Sequence, residues 1–199
     1  MLLWGRDPGR LAAAAAGCSG SARAVDLRDR PALVEAAAAA GDLTAVVWAA
    51  GVFDHGPADT ADPGAWAELL DVNLTAAALV TRAVLPGLLR SAPAALVYLG
   101  SGAARQAFPD NAAYVASKHG LAGLAGGVWA DVGGRGVRVA LVSPGLVAAG
   151  AGLRAPAARA HPELLLRPGD VAAAVRFVLE FPGPGCPTEI VLSVPTVDR

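Results

Sequence analysis

The sequence predicts an α/β protein with a Rossmann-like doubly wound parallel sheet, arranged as three α/β/α layers in a single domain over residues 1–199. Short apolar runs alternate along the chain with segments of helical pattern. Such alternation indicates right-handed βαβ crossovers, which pair the strands in parallel and cover both sheet faces with helices. The length suits one domain with its own core, and no internal repeat or linker divides it.

The individual elements follow from apolar runs that end at Gly, Pro, Asp or Ser. We expect strands at Met1–Trp4, Ala22–Val25, Ala45–Trp48, Ala94–Leu99, Arg138–Val142 and Thr188–Ser193. We expect helices opened by Pro8, at Pro31–Ala40, near Trp66, at Asn73–Arg90, in the Ala-rich segment around Tyr114, and from Pro168 to Glu180.

Composition excludes several classes of partner. The formal net charge of −1 gives no reason to expect binding to nucleic acid or an anionic membrane. The apolar run Leu43–Phe53 is too short to span a bilayer, which needs about 20 apolar residues. Cys18 and Cys186 lie far apart without metal-ligand spacing, so we expect reduced thiols, no metal site and a cytoplasmic location.

Candidate functional residues follow the predicted strands. Arg6, Asp26, Gly51, Ser101 and Pro144-Gly145 each come directly after one. Ligands of doubly wound sheets bind outside the carboxyl ends of the strands. The sequence therefore predicts a ligand site where these residues meet.

Tyr114 and Lys118 form the pattern with the clearest chemical meaning. Four residues apart on a helix, their side chains share one face. A cation beside a phenol favours phenolate, so we expect Lys118 to lower the pKa of Tyr114 from about 10 towards the range of an acid/base catalyst. A Tyr-x-x-x-Lys pair also occurs by chance on helix surfaces. The functional interpretation is favoured because Lys118 is the only lysine in the chain, which has fifteen arginines.

Ser101, followed after a short loop by YVASK at Tyr114–Lys118, resembles the short-chain dehydrogenase/reductase family, and the resemblance extends over essentially the whole chain. It implies an NAD(P) cofactor and catalytic roles for Ser101, Tyr114, Lys118 and Asn73. Asn73 stands where the family has a helix-starting asparagine that holds a proton-relay water. The alternative for Asn73 is a helix N-cap, and both roles are compatible.

The resemblance also implies which residues contact the cofactor. These are Arg6, Asp26, Ala50, Gly51, Tyr114, Lys118, Pro144, Gly145 and Val147. Arg6 follows the position where NAD-specific members carry an acidic residue, and a guanidinium can pair with a 2′-phosphate. We therefore expect NADP(H) to be favoured over NAD(H), although an arginine at a helix start is also an ordinary surface residue.

The sequence departs from the family pattern at three places. Ala149 stands where a threonine is usual, and Trp48-Ala49-Ala50-Gly51 stands where the family has an Asn-Asn-Ala-Gly signature. The glycine-rich pyrophosphate turn with its preceding strand is missing. That strand would lie between Met1–Trp4 and Ala45–Trp48. We therefore expect two unpaired sheet edges and an N-terminally incomplete enzyme.

The resemblance implies an oxidoreductase that interconverts a small carbonyl compound and an alcohol, with Tyr114 as general acid/base. The alternatives are a non-catalytic binding or interaction protein of the same fold, or an inactive truncated fragment. The segment Ala148–Leu166 is expected to cover the substrate, with His161 serving the loop and not catalysis. The resemblance implies a homodimer or homotetramer, and the small residues of Gly123–Gly127 would permit close helix contact.

Overall fold

A computed structural model describes residues 1–150 and 152–194. Strands and helices alternate as predicted. The strands are Leu2–Gly5 (β1), Ser21–Ala24 (β2), Ala45–Trp48 (β3), Ala94–Leu99 (β4), Val137–Pro144 (β5) and Glu189–Leu192 (β6). The helices are Pro8–Gly17 (α1), Arg30–Ala39 (α2), Pro63–Leu70 (α3), Ala76–Arg90 (α4), Ala112–Val132 (α5), Pro156–Ala160 (α6) and Pro168–Leu179 (α7).

The first three helices begin at the same kind of sequence, an aspartate followed within two residues by proline. The side chains of Asp7, Asp29 and Asp62 accept hydrogen bonds from backbone N–H groups of the first turn, at distances of 3.0–3.1 Å for the shortest bond of each. Proline fits the first turn because its missing N–H would have no partner there. Local sequence therefore fixes where these helices start.

The strands form two parallel sheets. β1 pairs with β2, while the second sheet has the order β3-β4-β5-β6. Within the residues described, no strand joins β1 to β3, as expected from the missing strand. Leu2 on β1 and Val47 on β3 are 44% and 42% exposed, so apolar side chains of both strands face solvent.

The four-stranded sheet is covered on both faces. Leu96 and Tyr98 of β4 belong to a buried cluster with residues of α2, α4 and α5. Val97, between them, belongs to a second cluster that includes Val171 and Val178 of α7. Alternate residues of a strand point to opposite faces, so this pattern produces the predicted three layers.

One prediction about the helices is wrong. α3 and α4 are parts of one continuous helix, Pro63–Arg90, joined by a π-helical turn at Asp71–Thr75. Asn73 therefore lies inside this helix and is neither its start nor its N-cap. The helix starts earlier because Asp62 and Pro63 supply a complete start signal and nothing interrupts it before Asn73.

By length and composition alone, the same helix could cross a membrane. Half of the most apolar part of this helix is buried inside the protein. Its buried side chains, among them Val80, Val84 and Leu88, belong to the main core cluster. The helix thus has a partner for its apolar face within the chain.

The segment Ala148–Leu166 is more ordered than a simple loop. Short 3₁₀ turns at Gly152–Arg154 and Pro162–Leu164 flank α6. Its two ends meet, since the N–H of Ala148 donates to the Leu166 carbonyl and the N–H of Leu166 to the Leu146 carbonyl, both at 2.8 Å. The segment is closed at its base and lies over the carboxyl end of β5.

Candidate active site

The carboxyl ends of β3, β4 and β5 surround a cavity of about 460 Å³. β4 leads into Gly100 and Ser101, and β5 leads into Gly145. Gly100 is required by close packing, because a Cβ there would lie 2.7 Å from Ser143 Oγ. The cavity is lined by Phe53, His55, Gly100, Ser101, Gly102, Ala103, Phe108, Pro109, Asn111, Tyr114, Pro144, Gly145, Leu146, Val147, Gly152, Ala155 and Pro156.

Ser101 and Tyr114 both line this cavity. Ser101 Oγ accepts a hydrogen bond from the N–H of Ala103 at 3.2 Å, which caps the turn Gly102–Ala104. Tyr114 lies in the first turn of α5 and is half-buried. Its ring makes an edge-to-face contact with the ring of Phe53, with 5.0 Å between the two centroids. The phenol and the hydroxyl therefore face the same space.

The pKa of Tyr114 differs from the sequence-based expectation. Burial raises this pKa above the ordinary tyrosine value, and the nearby Ser101 hydroxyl only partly offsets the rise. Lys118 does not reverse it, since its Nζ lies 5.7 Å from the centroid of the tyrosine ring and donates elsewhere. Tyr114 is therefore a neutral phenol at neutral pH, the form in which it can give up a proton.

Lys118 is almost completely buried, with 5% of its surface exposed. Nζ donates to the backbone carbonyl of Leu99 at 3.0 Å. Desolvation lowers the pKa of Lys118 to about 8. An ammonium has three N–H donors, so two remain after this bond for a ligand oxygen.

Asn73 is fully buried and connects three elements. Its Oδ1 accepts from the Val52 N–H at 2.7 Å, and its Nδ2 donates to the Val52 carbonyl at 2.9 Å and to Ser117 Oγ at 3.1 Å. Ser117 in turn donates to the Tyr114 carbonyl at 2.7 Å. The π-helical turn, the loop after β3 and helix α5 are thereby held in one arrangement.

Gly51 lies beside Asn73 and Lys118. A Cβ at this position would be 3.3 Å from Asn73 Oδ1 and 3.6 Å from Lys118 Nζ. Because glycine has no Cβ, the space between the Gly51 backbone and these two polar atoms stays open. The preceding residue, Ala50, packs partly buried against the core.

Arg6 and Asp26 meet at the carboxyl ends of β1 and β2. The guanidinium and backbone N–H of Arg28 lower the pKa of Asp26 to about 2, and the nearby charge of Arg6 adds a smaller effect of the same sign. Arg28 also reaches Glu68 of α3 at 3.3 Å. Sequence reasoning missed Arg28, because an arginine two residues after an aspartate is common on protein surfaces.

The turn after β5 faces the cavity through Pro144, Gly145 and Val147. The N–H of Gly145 donates to the Leu192 carbonyl at 2.8 Å, and the N–H of Ala149 donates to the Val147 carbonyl at 2.7 Å. These bonds fix the backbone of the turn beside β6. Ala149 brings no side-chain hydroxyl to it.

Three aromatic residues of the cavity wall were not identified from the sequence. Phe53 and His55 follow β3, and Phe108 lies in the loop between Ser101 and α5. Their only sequence signal is that each lies in a loop following a strand. His161, in contrast, lies outside the cavity lining, and its Nδ1 is 3.3 Å from Glu163 Oε1, in agreement with a loop role.

The residues present fit one half of a nicotinamide dinucleotide. The buried Lys118 ammonium, with two remaining N–H donors, suits the hydroxyls of a sugar. The Pro144–Val147 turn beside Tyr114 suits a flat polar ring. For the pyrophosphate, the described residues provide no glycine-rich turn between a strand and a helix.

Comparison with known proteins gives a consistent result. The family model described as short chain dehydrogenase matches residues 2–158. The 2-(S)-hydroxypropyl-CoM dehydrogenase 3 of Xanthobacter autotrophicus is 36% identical over 152 residues, which cover 70% of this chain and 60% of that protein. A second protein of that organism, named inactive 2-(S)-hydroxypropyl-CoM dehydrogenase 2, is 33% identical over 185 residues, covering 84% of this chain and 80% of its own.

A solved structure from Beutenbergia cavernae, described as an NAD(P)-dependent gluconate 5-dehydrogenase with NADP bound at low occupancy, has a TM-score of 0.84 to this chain. It is 31% identical, and the match covers 96% of this chain and 83% of that one. The two-sheet arrangement described above is thus a variant of a known Rossmann architecture.

Proposed function

This chain belongs to the short chain dehydrogenase family, and from that membership we propose that it is an NADP(H)-dependent oxidoreductase that interconverts a ketone or aldehyde and an alcohol. The observation that carries the proposal is that Ser101 and Tyr114 line one cavity, while the buried Lys118 has its Nζ 5.7 Å from the centroid of the Tyr114 ring. A nicotinamide cofactor supplies the hydride when bound.

Tyr114 is the general acid in the direction of reduction. Burial raises the pKa of its phenol, so the proton is held until negative charge develops on the substrate oxygen. Ser101 donates a hydrogen bond to that oxygen and orients the carbonyl group. In the direction of oxidation the same two groups act in reverse.

Lys118 binds the nicotinamide ribose through its two remaining N–H donors. It also stabilises negative charge that forms on Tyr114 during proton transfer, since Nζ lies 5.7 Å from the ring centroid. Asn73 anchors a relay water through the second lone pair of Oδ1. This role is supported by the space beside Gly51 that a Cβ would otherwise fill, because both Asn73 Oδ1 and Lys118 Nζ lie within 3.6 Å of it.

Arg6 is proposed to select NADP(H) by pairing with the 2′-phosphate. Asp26, already paired with Arg28, contacts the adenine, while Ala50 and Gly51 approach the adenosine ribose with their backbone. Pro144, Gly145 and Val147 contact the nicotinamide. The carbonyl compound itself occupies the cavity under the segment Ala148–Leu166.

Transfer of deuterium from the cofactor to a carbonyl carbon tests this proposal. NADPH deuterated at the transferred position is incubated with the enzyme and a panel of uncharged ketones and aldehydes. The alcohol formed by the wild type is expected to carry one deuterium on the carbinol carbon. Tyr114→Phe removes the acid and is expected to slow the reaction by about 10²- to 10⁴-fold with an unchanged melting temperature.

If no carbonyl compound in the panel receives the label, the proposal is wrong for the chain in hand. If Tyr114→Phe retains the wild-type rate, the assignment of Tyr114 as the acid is wrong. Ser101→Ala serves as the matched variant, since it removes the orienting hydroxyl but leaves the acid in place.

The second candidate is a non-catalytic member of the family, whether a binding or interaction protein or an inactive fragment. Two observations favour it: β1 and β3 are not joined by a strand within the described residues, and one relative is named inactive. A folded chain that binds neither NADPH nor NADH would decide for this candidate.

We also propose that the whole chain forms one domain and assembles as a homodimer or homotetramer in the cytoplasm. The face of α5 around Gly123, Gly126 and Gly127 is open, because a Cβ at any of them would meet no atom within 4 Å. Light scattering at several protein concentrations measures the oligomeric state, and a monomer at every concentration would contradict the proposal.

A further inference from the structure

Within the described ranges, His55 is one of four polar side chains that line the cavity, together with Ser101, Asn111 and Tyr114. Its backbone N–H donates to Asp54 Oδ1 at 2.9 Å, whereas its ring nitrogens have no hydrogen-bond partner among the residues that the structure describes. An exposed imidazole that lines a cavity can donate or accept a hydrogen bond to a ligand. The proposed reaction gives His55 no task.

Phe53 relates His55 to the reacting atoms. The centroid of its ring lies 6.4 Å from that of His55 and 5.0 Å from that of Tyr114. Phe53 therefore lies between the two groups, and its ring is an apolar surface available to a substrate that contacts both Tyr114 and the imidazole. The part of such a substrate between its two polar ends should then be apolar too.

The surroundings argue against a charged substrate group at the His55 end. Among the described residues, the cavity lining contains no Lys, Arg, Asp or Glu side chain. Two acids, Asp54 and Asp110, line a small adjacent crevice and would repel a substrate carboxylate. A charge placed in an apolar cavity without an opposite partner is strongly disfavoured.

We propose that His55 is a specificity-determining residue that hydrogen-bonds a second, uncharged oxygen of the substrate. The substrate class is then a neutral ketone or aldehyde that carries a hydroxyl or carbonyl oxygen at the far end of an apolar body. This inference rests on the proposed function and adds a substrate class to it. The remainder of the wall, from Phe108 and Leu146 to Pro156, supplies the apolar surface for that body.

Matched substrate pairs test the inference. Straight-chain methyl ketones of increasing length are compared with the same ketones carrying a terminal hydroxyl, and each is assayed with NADPH for kcat/KM. At one chain length the wild type is expected to prefer the hydroxylated ketone by about 3- to 10-fold, the effect of one net hydrogen bond. His55→Ala is expected to abolish this preference, because kcat/KM should fall more for the hydroxylated ketones than for the plain ketones.

His119→Ala is the matched control, because His119 is an exposed histidine on α5 outside the cavity lining. His55→Gln, which keeps a hydrogen-bonding side chain, is expected to restore part of the preference. A keto acid of the favoured length is expected to react more slowly than the hydroxyketone.

The outcomes separate the two proposals. If the wild type reduces plain and hydroxylated ketones equally at every length, or if His55→Ala slows both alike, the inference about His55 is overturned and the proposed function stands. If the keto acid is preferred, the neutral substrate class is wrong. If no ketone of either series is reduced, the proposed function fails and the inference with it.

Discussion

At the scale of single residues, the buried ammonium of Lys118 is the most costly feature of the site. With 5% of its surface exposed, it has one carbonyl acceptor and no carboxylate partner in the described part of the chain. Burying a charge without an opposite charge lowers stability. That cost is understandable where the ammonium serves a bound ligand, because functional sites often retain locally unfavourable arrangements.

The lowered pKa of Lys118 predicts how stability changes with pH. Between about 8, its value in the folded chain, and 10.5, the ordinary lysine value, the unfolded chain binds more protons. Stability from this group therefore rises as pH increases through that window. Lys118→Met removes the charge, so the variant should be more stable at pH 7, by at most about 3 kcal/mol, and this advantage should shrink by pH 9.5.

Urea unfolding of both proteins at pH 7 and pH 9.5 measures the effect. Titratable groups that do not contact Lys118 are common to both proteins and cancel in the difference. An advantage of Lys118→Met that is the same at both pH values would contradict the burial of a charged lysine.

The sequence was sufficient to name Ser101, Tyr114 and Lys118 as candidate site residues. It did not identify the residues that contact them or line the cavity beside them. The spacing of Tyr114 and Lys118 and the position of Ser101 after a strand were sufficient to predict their meeting. Ser117 and His55 take their roles from packing between distant segments, which no local pattern indicates. The pKa of Tyr114 was predicted in the wrong direction, because sequence spacing reveals a nearby cation and not the depth of burial.

At the scale of elements, a close contact between helix α4 and a turn depends on one glycine. Gly87 of α4 packs on the turn between α2 and β3, and a Cβ there would lie 2.1 Å from the Gly41 carbonyl oxygen. Gly41 has a φ of 72° and makes this turn. The contact holds α4 against the turn that leads into β3.

Gly87→Ala is therefore expected to destabilise the fold. Relieving the overlap should cost about 1–3 kcal/mol, which exceeds the gain of about 1 kcal/mol or less from replacing glycine with alanine in a helix. Gly169→Ala is the control, since a Cβ at this helical position meets no atom within 4 Å. Thermal unfolding should show a lower melting temperature for Gly87→Ala alone, and equal melting temperatures would contradict the contact.

Strand positions could be predicted to within about two residues because each strand is a short apolar run bounded by turn residues. The long helix was predicted to begin ten residues too late, at Asn73 instead of Pro63. Asparagine is a common N-cap, so the sequence predicts a helix start at Asn73. Local sequence does not reveal a π-helical turn, because the turn accompanies a hydrogen bond between Asn73 and the distant residue Val52.

At the scale of the whole molecule, the two sheets are linked by side chains and packing instead of strand pairing. Arg28 bridges Asp26 after β2 to Glu68 of α3, and Arg30 of α2 pairs with Asp71 of the π-helical turn. These exposed pairs contribute little stability individually. They nonetheless join the proposed adenine end of the site to the helix that carries Asn73. The division into two sheets could be predicted only from the family resemblance, since composition and periodicity do not reveal a missing strand.

Binding of the cofactor tests this arrangement most directly. NADPH and NADH are titrated into the 199-residue chain and into Arg6→Glu, with nicotinamide fluorescence and melting temperature as readouts. We expect saturable binding of NADPH that raises the melting temperature, with NADH binding more weakly. Arg6→Glu should weaken NADPH binding by about 10- to 100-fold, the effect of losing a charge-assisted hydrogen bond, and should not weaken NADH binding. A folded wild-type chain that binds neither nucleotide would contradict the proposed oxidoreductase function and favour the non-catalytic alternative.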